Sequence, residues 1–290
     1  MSVEIKSLEN ISINTIHTSF TEAFADYLVD ISYMTPEVMK FRFQKNGFQP
    51  QLSAGIFDKG QLKGFTVVGI SRFKNDKAAF DIMTGMVKDY RGKGLANKMF
   101  DLIKIKMKEQ AINNFYLEVI RENHAAIKAY EKTGFKKTRE LNCYSLDLLK
   151  LKPAKQIQTV VYIEQVDKTK IDSFKGFLDW DPSWENNFES IKRIPDKVEV
   201  FTARSIGKDI GILVYYPILK WVMCLAIHKN HRGKGIATAL LEYLAEFLLP
   251  ETKDIKILNV LADDVGLNKF LINSGCDLLT GQYEMEYNLS

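Results

Sequence analysis

Apolar and polar positions along this chain change period in a fixed order, and the order occurs twice. "KAAFDIMTGMV" at 77–87 is a near-continuous apolar run, the pattern of a strand buried on both faces, and it runs into a polar loop at Lys88 to Arg91. From Leu95, "LANKMFDLIKIKMKEQ" places Met99, Leu102, Ile103 and Ile105 to Met107 near a 3.6 period with lysines opposite, which predicts an amphipathic helix. "NNFYLEVI" predicts a second strand, "NHAAIKAYEKTG" a short helix ending on Gly134, and "FKKTRELNCYSLDL" a closing strand or hairpin. The same order returns 141 residues later in "KWVMCLAI", "RGKGIATALLEYLAEFLL", "IKILNVL", "VGLNKFLINSG" and "CDLLTGQYEMEYNL". Gly275 then stands for Gly134, Leu258 for Leu117 and Val260 for Val119. A period this long is a domain and not a solenoid repeat.

Upstream of each copy the pattern predicts a hairpin, "AGIFDKGQLKGFTVVG" in the first half and "VEVFTARSIGKDIGILVYY" in the second. Helices precede them: "SFTEAFADYLVDI" and "PEVMKFRFQKNG" in the first half, "DKTKIDSFKGFLDW" in the second. Between the halves "LKLKPAKQIQ" contains Pro153 and has no clear period. The boundary therefore falls near residue 152, giving domains 1–151 and 152–290 of α/β (α+β) class, each a mixed twisted sheet flanked by helices.

An apolar fraction of 46% and a charged fraction of 26% suit two globular cores. The formal net charge of +4 is spread among interleaved acids and bases, so no nucleic-acid partner is expected. The three cysteines are far apart and form no C-x-x-C, which argues against a disulfide framework and for a reducing, cytoplasmic compartment. The N-terminus is charged where a signal peptide needs an apolar run, and stretches such as "WVMCLAI" are too short to span a bilayer, so no membrane association is expected. Cys224, His228 and His231 in "CLAIHKNH" lack a fourth ligand nearby, so no metal is expected and the histidines frame the second glycine loop.

The duplicated loop carries the chemistry. "RGKG" at 91–94 leaves a buried strand and enters a helix, which exposes backbone N–H groups at a helix N-terminus, a setting for an anion such as a pyrophosphate. The loop fits neither G-x-x-x-x-G-K-[ST] nor G-x-G-x-x-G, since residue 97 is Asn, so a P-loop NTPase or a dinucleotide oxidoreductase is disfavoured. A plain glycine turn is the competing use, and two copies in one context argue against it.

"RGKGLA" at 91–96 resembles the R/Q-x-x-G-x-G/A acyl-CoA loop of the GNAT superfamily of acyl-CoA N-acyltransferases. "LEVIRENHAAIKAYEKTGF" at 117–135 resembles that family's second signature, with an Asn opening a helix, an Ala three on, a Tyr seven on and a Gly-Phe at its end. "RGKGIA" at 232–237 fits as well, but Asp264 stands where Asn123 maps and Leu271 where Tyr130 maps. The chain is therefore similar to a tandem GNAT protein with one complete and one degenerate copy.

The resemblance implies acetyl-CoA as cosubstrate, held between the strand ending at Val87 and the strand "NNFYLEVI". Backbone N–H groups near Met86 and Val87 would bind the pantetheine and polarise the thioester oxygen. Arg91, Gly92, Lys93, Gly94, Leu95 and Ala96 would cradle the pyrophosphate, with Arg232, Gly233, Lys234, Gly235 and Ala237 as the second cradle. Asn123 would bond the pantetheine arm, or cap its helix, or both. Tyr130 would protonate the leaving thiolate, unless it only faces a core. Glu118 is the first candidate base and Asp81 the second; either could instead be a paired carboxylate at a strand end. The expected reaction is transfer of acetyl directly to a primary amine, a small molecule or peptide, in the first half. The alternative is a noncatalytic acyl-CoA-binding or regulatory protein, and a pure scaffold is a third reading. The second copy could bind CoA, line an acceptor pocket or be structural, and "DWDPSWENNF" at 179–188 could line a pocket or pack between domains. Acceptor and oligomeric state stay open.

Overall fold

A computed structural model of the chain describes residues 3–27, 30–154 and 160–289. The chain falls into two compact units, Met1–Thr138 with Tyr283–Ser290, and Arg139–Gln282. This division differs from a single cut near residue 152: the strand that follows each half's last helix is counted, wholly or in part, with the other half. Residues 155–159 of the expected linker lie outside the described residues.

The first unit runs β1 (Glu4–Ser7), α1 (Ile13–Ala23), α2 (Pro36–Asn46), β2 (Ala54–Asp58), β3 (Gln61–Phe73), β4 (Asp76–Met86), α3 (Leu95–Glu109), β5 (Asn114–Ile120) and α4 (His124–Lys132). Its strand order is β1-β2-β3-β4-β5, antiparallel except for the β4–β5 pair. The next strand, β6 (Lys136–Asp147), leaves this unit after Thr138. The second unit continues with β7 (Tyr162–Gln165), α5 (Phe188–Lys192), β8 (Glu199–Ser205), β9 (Lys208–Tyr216), β10 (Trp221–Ile227), α6 (Ile236–Leu248), β11 (Asp254–Leu261), α7 (Val265–Asn273) and the start of β12 (Asp277–Asn288). There the order is β6-β11-β10-β9-β8-β7, with β10–β11 the parallel pair. From Tyr283 on, β12 lies beside β5 in the first unit, where Leu289 N–H donates to Asn113 O at 2.8 Å.

Local chemistry sets the helix limits. Ser12 and Thr35 accept from the N–H three residues on and so cap α1 and α2, and Gly47 closes α2 at φ 72°. The helix expected over 19–31 therefore starts earlier and stops at Ala23, because Ile16, Phe20 and Ala23 form the buried stripe; Leu28 and Val29 lie outside the described residues. "DKTKIDSFKGFLDW" also departs from expectation, folding as a 3-10 helix over Lys168–Phe177. Its apolar residues Ile171, Phe174 and Phe177 recur every third position, the repeat that stacks on one face of a 3-10 helix.

In the first core α3 lays Met99, Phe100, Ile103 and Met107 against Ala54, Ile56, Val68 and Phe115. Each buried Met, Phe, Ile or Val side chain among them stabilises the fold by roughly 1.5–3 kcal/mol. In the second core α6 buries Ile236, Leu240, Leu241 and Leu244 in the same way. Among the described residues no helix is long and apolar enough to cross a membrane.

Candidate functional site

In each unit the parallel strand pair opens like a split reed. Ladder pairing between β4 and β5 runs from Ala78–Asn114 to Asp81–Leu117 and stops, although β4 continues to Met86 and β5 to Ile120. Pairing between β10 and β11 stops at Val222–Ile257, with the strands running on to Ile227 and Leu261. On the other edge of each strand a bulge follows the last rung. The register with β3 skips Ile82, and that of β10 with β9 skips Met223, which stands 141 residues later. An extra residue bends and twists a strand, so both units carry the device that swings the strand end away from its parallel neighbour.

The glycine loop starts where the strand ends. Val87 N–H donates to Lys63 O at 2.9 Å and is thereby committed; His228 N–H repeats this with Ile210 O at 2.9 Å. Strand alternation turns the Met86 N–H to the opposite edge, toward the open cleft. Gly94 and Gly235 stand at the helix N-caps with φ 70° and 83°, and no side chain caps either helix. The first-turn N–H groups of α3 and α6 are therefore open to an anion. A Cβ on Gly92 or Gly94 would meet no atom within 4 Å, so these glycines answer to backbone conformation and not to crowding by the protein.

Arg91 does something the sequence did not suggest. Its Nε–H donates to Met86 O at 2.9 Å, its two terminal nitrogens grip Asp26 at 2.8 and 2.7 Å, and one also donates to Ala23 O at 2.7 Å. Its backbone N–H closes the preceding 3-10 turn onto Lys88 O. Arg232 repeats the arrangement with Ile227 O, Asp179 and Phe177 O. Each arginine thus ties the glycine loop to the end of the helix that opens its unit. The residues that follow, Gly92 to Ala96 and Gly233 to Ala237, lead into the two uncapped helix starts.

At the last rung of the first cleft sit the polar side chains. Asp81 is 5% exposed. Its Oδ2 accepts from Thr84 Oγ1 at 2.7 Å and from Tyr130 OH at 3.1 Å, while Oδ1 is buried with no hydrogen-bond partner. Burial pushes the Asp81 carboxyl up to about 6 against the help of those two donors. Burial, and after it the Asp81 charge, holds the Tyr130 phenol well above its usual range, so at neutral pH Tyr130 carries its proton. The ring packs edge-on against Phe100 and Phe135.

Asn123 caps α4, its Oδ1 accepting from Ala126 N–H at 3.1 Å, and it also bonds Tyr27. Asp264 caps α7 likewise and receives Trp180 Nε1–H at 3.0 Å. An N-cap tolerates Asn and Asp alike, which accounts for the exchange between the copies. Glu118 lies half-buried on β5; the carboxylate seen to touch Tyr130 is Asp81.

The second unit keeps the frame and replaces the polar set. Val222 stands in the place of Asp81, Leu225 of Thr84, Asn259 of Glu118 and Leu271 of Tyr130, and both Val222 and Leu271 are core. A cavity of about 710 Å³ survives there, lined among others by Phe177, Trp180, Gly233, Asp264 and Phe270. That is the size of a small-molecule site, roughly 300–1,000 Å³. The segment 183–187 is buried beside β11: Asn186 donates to Leu258 O at 2.7 Å and Asn259 to Ser183 Oγ at 2.9 Å. Trp184 is fully buried, so "DWDPSWENNF" divides its uses, with Trp180 at the cavity and Trp184 in packing. Among the described residues no group of three or more His, Cys, Asp or Glu is placed to hold a metal.

A family model described as acetyltransferase (GNAT) family matches residues 16–135 and again 163–271. N-alpha-acetyltransferase 30 of Schizosaccharomyces pombe is 35% identical over 65 residues, 22% of this chain and 43% of that relative, so less than half of the relative is spanned. Among solved structures, a GCN5-related N-acetyltransferase from Sphaerobacter thermophilus superposes with a TM-score of 0.74 at 10% identity, covering 99% of this chain and 96% of that one. A tandem GNAT protein from the clavulanic acid biosynthesis pathway gives 0.72 at 13% identity, covering 100% and 99%. At such identities the likeness is one of fold.

Proposed function

The chain belongs to the GNAT acetyltransferase family as a tandem member, and from that premise we propose that its first unit transfers acetyl from acetyl-CoA directly to a primary amine. The observation that carries this reading is the meeting, at one end of one cleft, of an uncapped helix N-terminus and a half-buried Tyr130 hydrogen-bonded to the buried Asp81. Gly92, Lys93, Gly94, Leu95 and Ala96 take the pyrophosphate on backbone N–H groups. Arg91 serves them as a tether, and Asn123 presents its cap to the pantetheine arm. Met86 N–H points into the cleft as donor to the thioester oxygen, which polarises the carbonyl for attack.

The amine adds to that carbonyl and gives up a proton to a carboxylate base, the C–S bond breaks, and the thiolate takes a proton from Tyr130, which the base then restores. A phenol held above its usual range carries its proton at neutral pH and recovers it readily after giving it up. Asp81 is favoured over Glu118 as the partnering carboxylate, because its contact with Tyr130 is direct. Both the acceptor and the compartment belong to this reading only in outline: a primary amine, small molecule or peptide, in the cytoplasm.

A different role suits the second unit. Its cradle and cavity remain while the ionisable pair is replaced by Val222 and Leu271. It binds an acyl-CoA through Gly233, Lys234, Gly235 and Ala237 and does not turn it over.

Calorimetric titration of the whole chain with acetyl-CoA, followed by a screen of primary amines for release of free CoA thiol, tests both parts. Two sites per chain with amine-dependent release is the expected result. One site places binding in a single unit, and binding without release for any amine leaves the noncatalytic reading in its place.

A further inference from the structure

The Tyr130 hydroxyl donates to Oδ2 of Asp81 at 3.1 Å, and Thr84 donates to the same oxygen at 2.7 Å with the Thr66 hydroxyl 3.0 Å behind it. A tyrosine whose proton is turned to a buried carboxylate offers its oxygen lone pairs to whatever approaches from the cleft. Asp81 is 5% exposed and its Oδ1 is sealed in without a partner, so the carboxylate exchanges protons through the groups that touch it. In the second unit both members are gone together, replaced by Val222 and Leu271, while bulge, open cleft and cradle are kept. Joint loss is what a pair acting as one device would show.

We propose that Tyr130 makes both proton transfers of the reaction, with Asp81 as the store that lets it do so and Thr84 as the residue that positions the store. The proposal rests on the transferase reading above. As the N–C bond forms, the Tyr130 oxygen takes a proton from the attacking nitrogen while its own proton passes to Oδ2 of Asp81. As the C–S bond breaks, its electron pair goes to sulfur, the thiolate takes the proton on Tyr130, and Asp81 returns the stored proton to Tyr130. One proton has moved from nitrogen to sulfur, and both side chains end as they began. The groups facing the pair are the Arg42 guanidinium from α2, the Tyr27 phenol beyond α1, and the uncharged hydroxyls of Thr66 and Thr84 on β3 and β4. Asp81 must be ionised to receive, so the rate should climb with pH through the Asp81 titration and then level.

The test is the pH dependence of kcat between about pH 5 and 9 for the whole chain, Tyr130→Phe, Asp81→Asn and the double variant, with the acetyl-CoA Kd of each as a control of folding. Each single variant should fall by about 10²–10³-fold, and the double by no more than about threefold further, because groups acting as a unit are not additive. Asp81→Asn should also lose an acid limb near pH 6 that the native chain shows. Thr84→Val removes one donor to the carboxylate and should move that limb to higher pH. Losses that multiply in the double variant, or an acid limb that persists in Asp81→Asn, overturn the shuttle and leave the transferase intact. A native chain that binds acetyl-CoA yet acetylates no amine overturns the transferase reading and the shuttle with it.

Discussion

Asp81 carries a cost that its position explains. A carboxyl at about 6 in the folded chain against 3.8 in the open chain means that the native state holds more protons between those values. Stability must then decline as pH rises from about 4 to 6 and stay lowered above, the reverse of a salt-bridged aspartate. The difference corresponds to at most about 3 kcal/mol. Asp81→Asn should therefore melt higher than the native chain at pH 8, with the gain vanishing toward pH 4. A variant that melts lower at pH 8 would mean that the two hydrogen bonds to Oδ2 outweigh the burial of the charge. Gly94 makes an opposite case. At φ 70° with open space around it, alanine would fit without collision but in a conformation costing about 1–2 kcal/mol. Gly94→Ala should lower the melting temperature by a few degrees and weaken acetyl-CoA binding, measured in the same calorimetric titration. Asp81 was legible in the sequence as a lone carboxylate in an apolar run, and Tyr130 through the family likeness of its helix. That they touch was not, because one comes from a strand and the other from a helix 49 residues on.

Among the elements, the parallel strand pair with its bulge does the positioning. Hydrophobic pattern located β4, β5, β10 and β11 to within a few residues, since a buried strand announces itself by composition. The bulges at Ile82 and Met223 gave no such signal. Their residues are as apolar as the neighbours, and a bulge is a matter of pairing. The arginine tether was hidden for a related reason: "RGKG" invites an anion, and only the folded chain brings Asp26 and Asp179 to it. Arg91 is 41% exposed and water screens its ion pair with Asp26, so the pair adds little to stability. Arg91→Ala should therefore leave the melting temperature within a few degrees of native while weakening acetyl-CoA binding about tenfold, because the loop loses its anchor. Unchanged affinity would show that the loop holds its shape by its glycines alone.

For the whole molecule, the decisive fact is that each unit takes strand residues from beyond the other half's last helix. Residues 283–290 belong with the first unit, where Met285 is fully buried, Glu284 pairs with Lys74 at 2.7 Å and Glu286 accepts from Tyr116 at 2.9 Å. Gly134 cooperates, its φ of 100° and missing Cβ leaving room for the Tyr287 ring. A fragment of residues 1–151 should thus expose the β5 edge and aggregate or fail to fold, whereas the full chain melts cooperatively. Light scattering and circular dichroism of the fragment would decide the matter, and a folded, monomeric fragment would refute it.

The order of residues carries whatever local chemistry and periodicity can specify. It identified the elements, the duplication at 141 residues, the glycine loops and the family likeness carried by "RGKGLA" and "NHAAIKAYEKTGF". Even the 3-10 segment at 168–177 could have been recovered from its three-residue apolar repeat. Tertiary structure alone decided which strand closes which unit, where the paired strands part, what Arg91 and Arg232 hold, and that the Tyr130 hydroxyl donates to Asp81. All of these are relations between residues far apart along the chain. They are set by which surfaces bury one another, a choice that a one-dimensional pattern of apolar and polar positions permits but does not make.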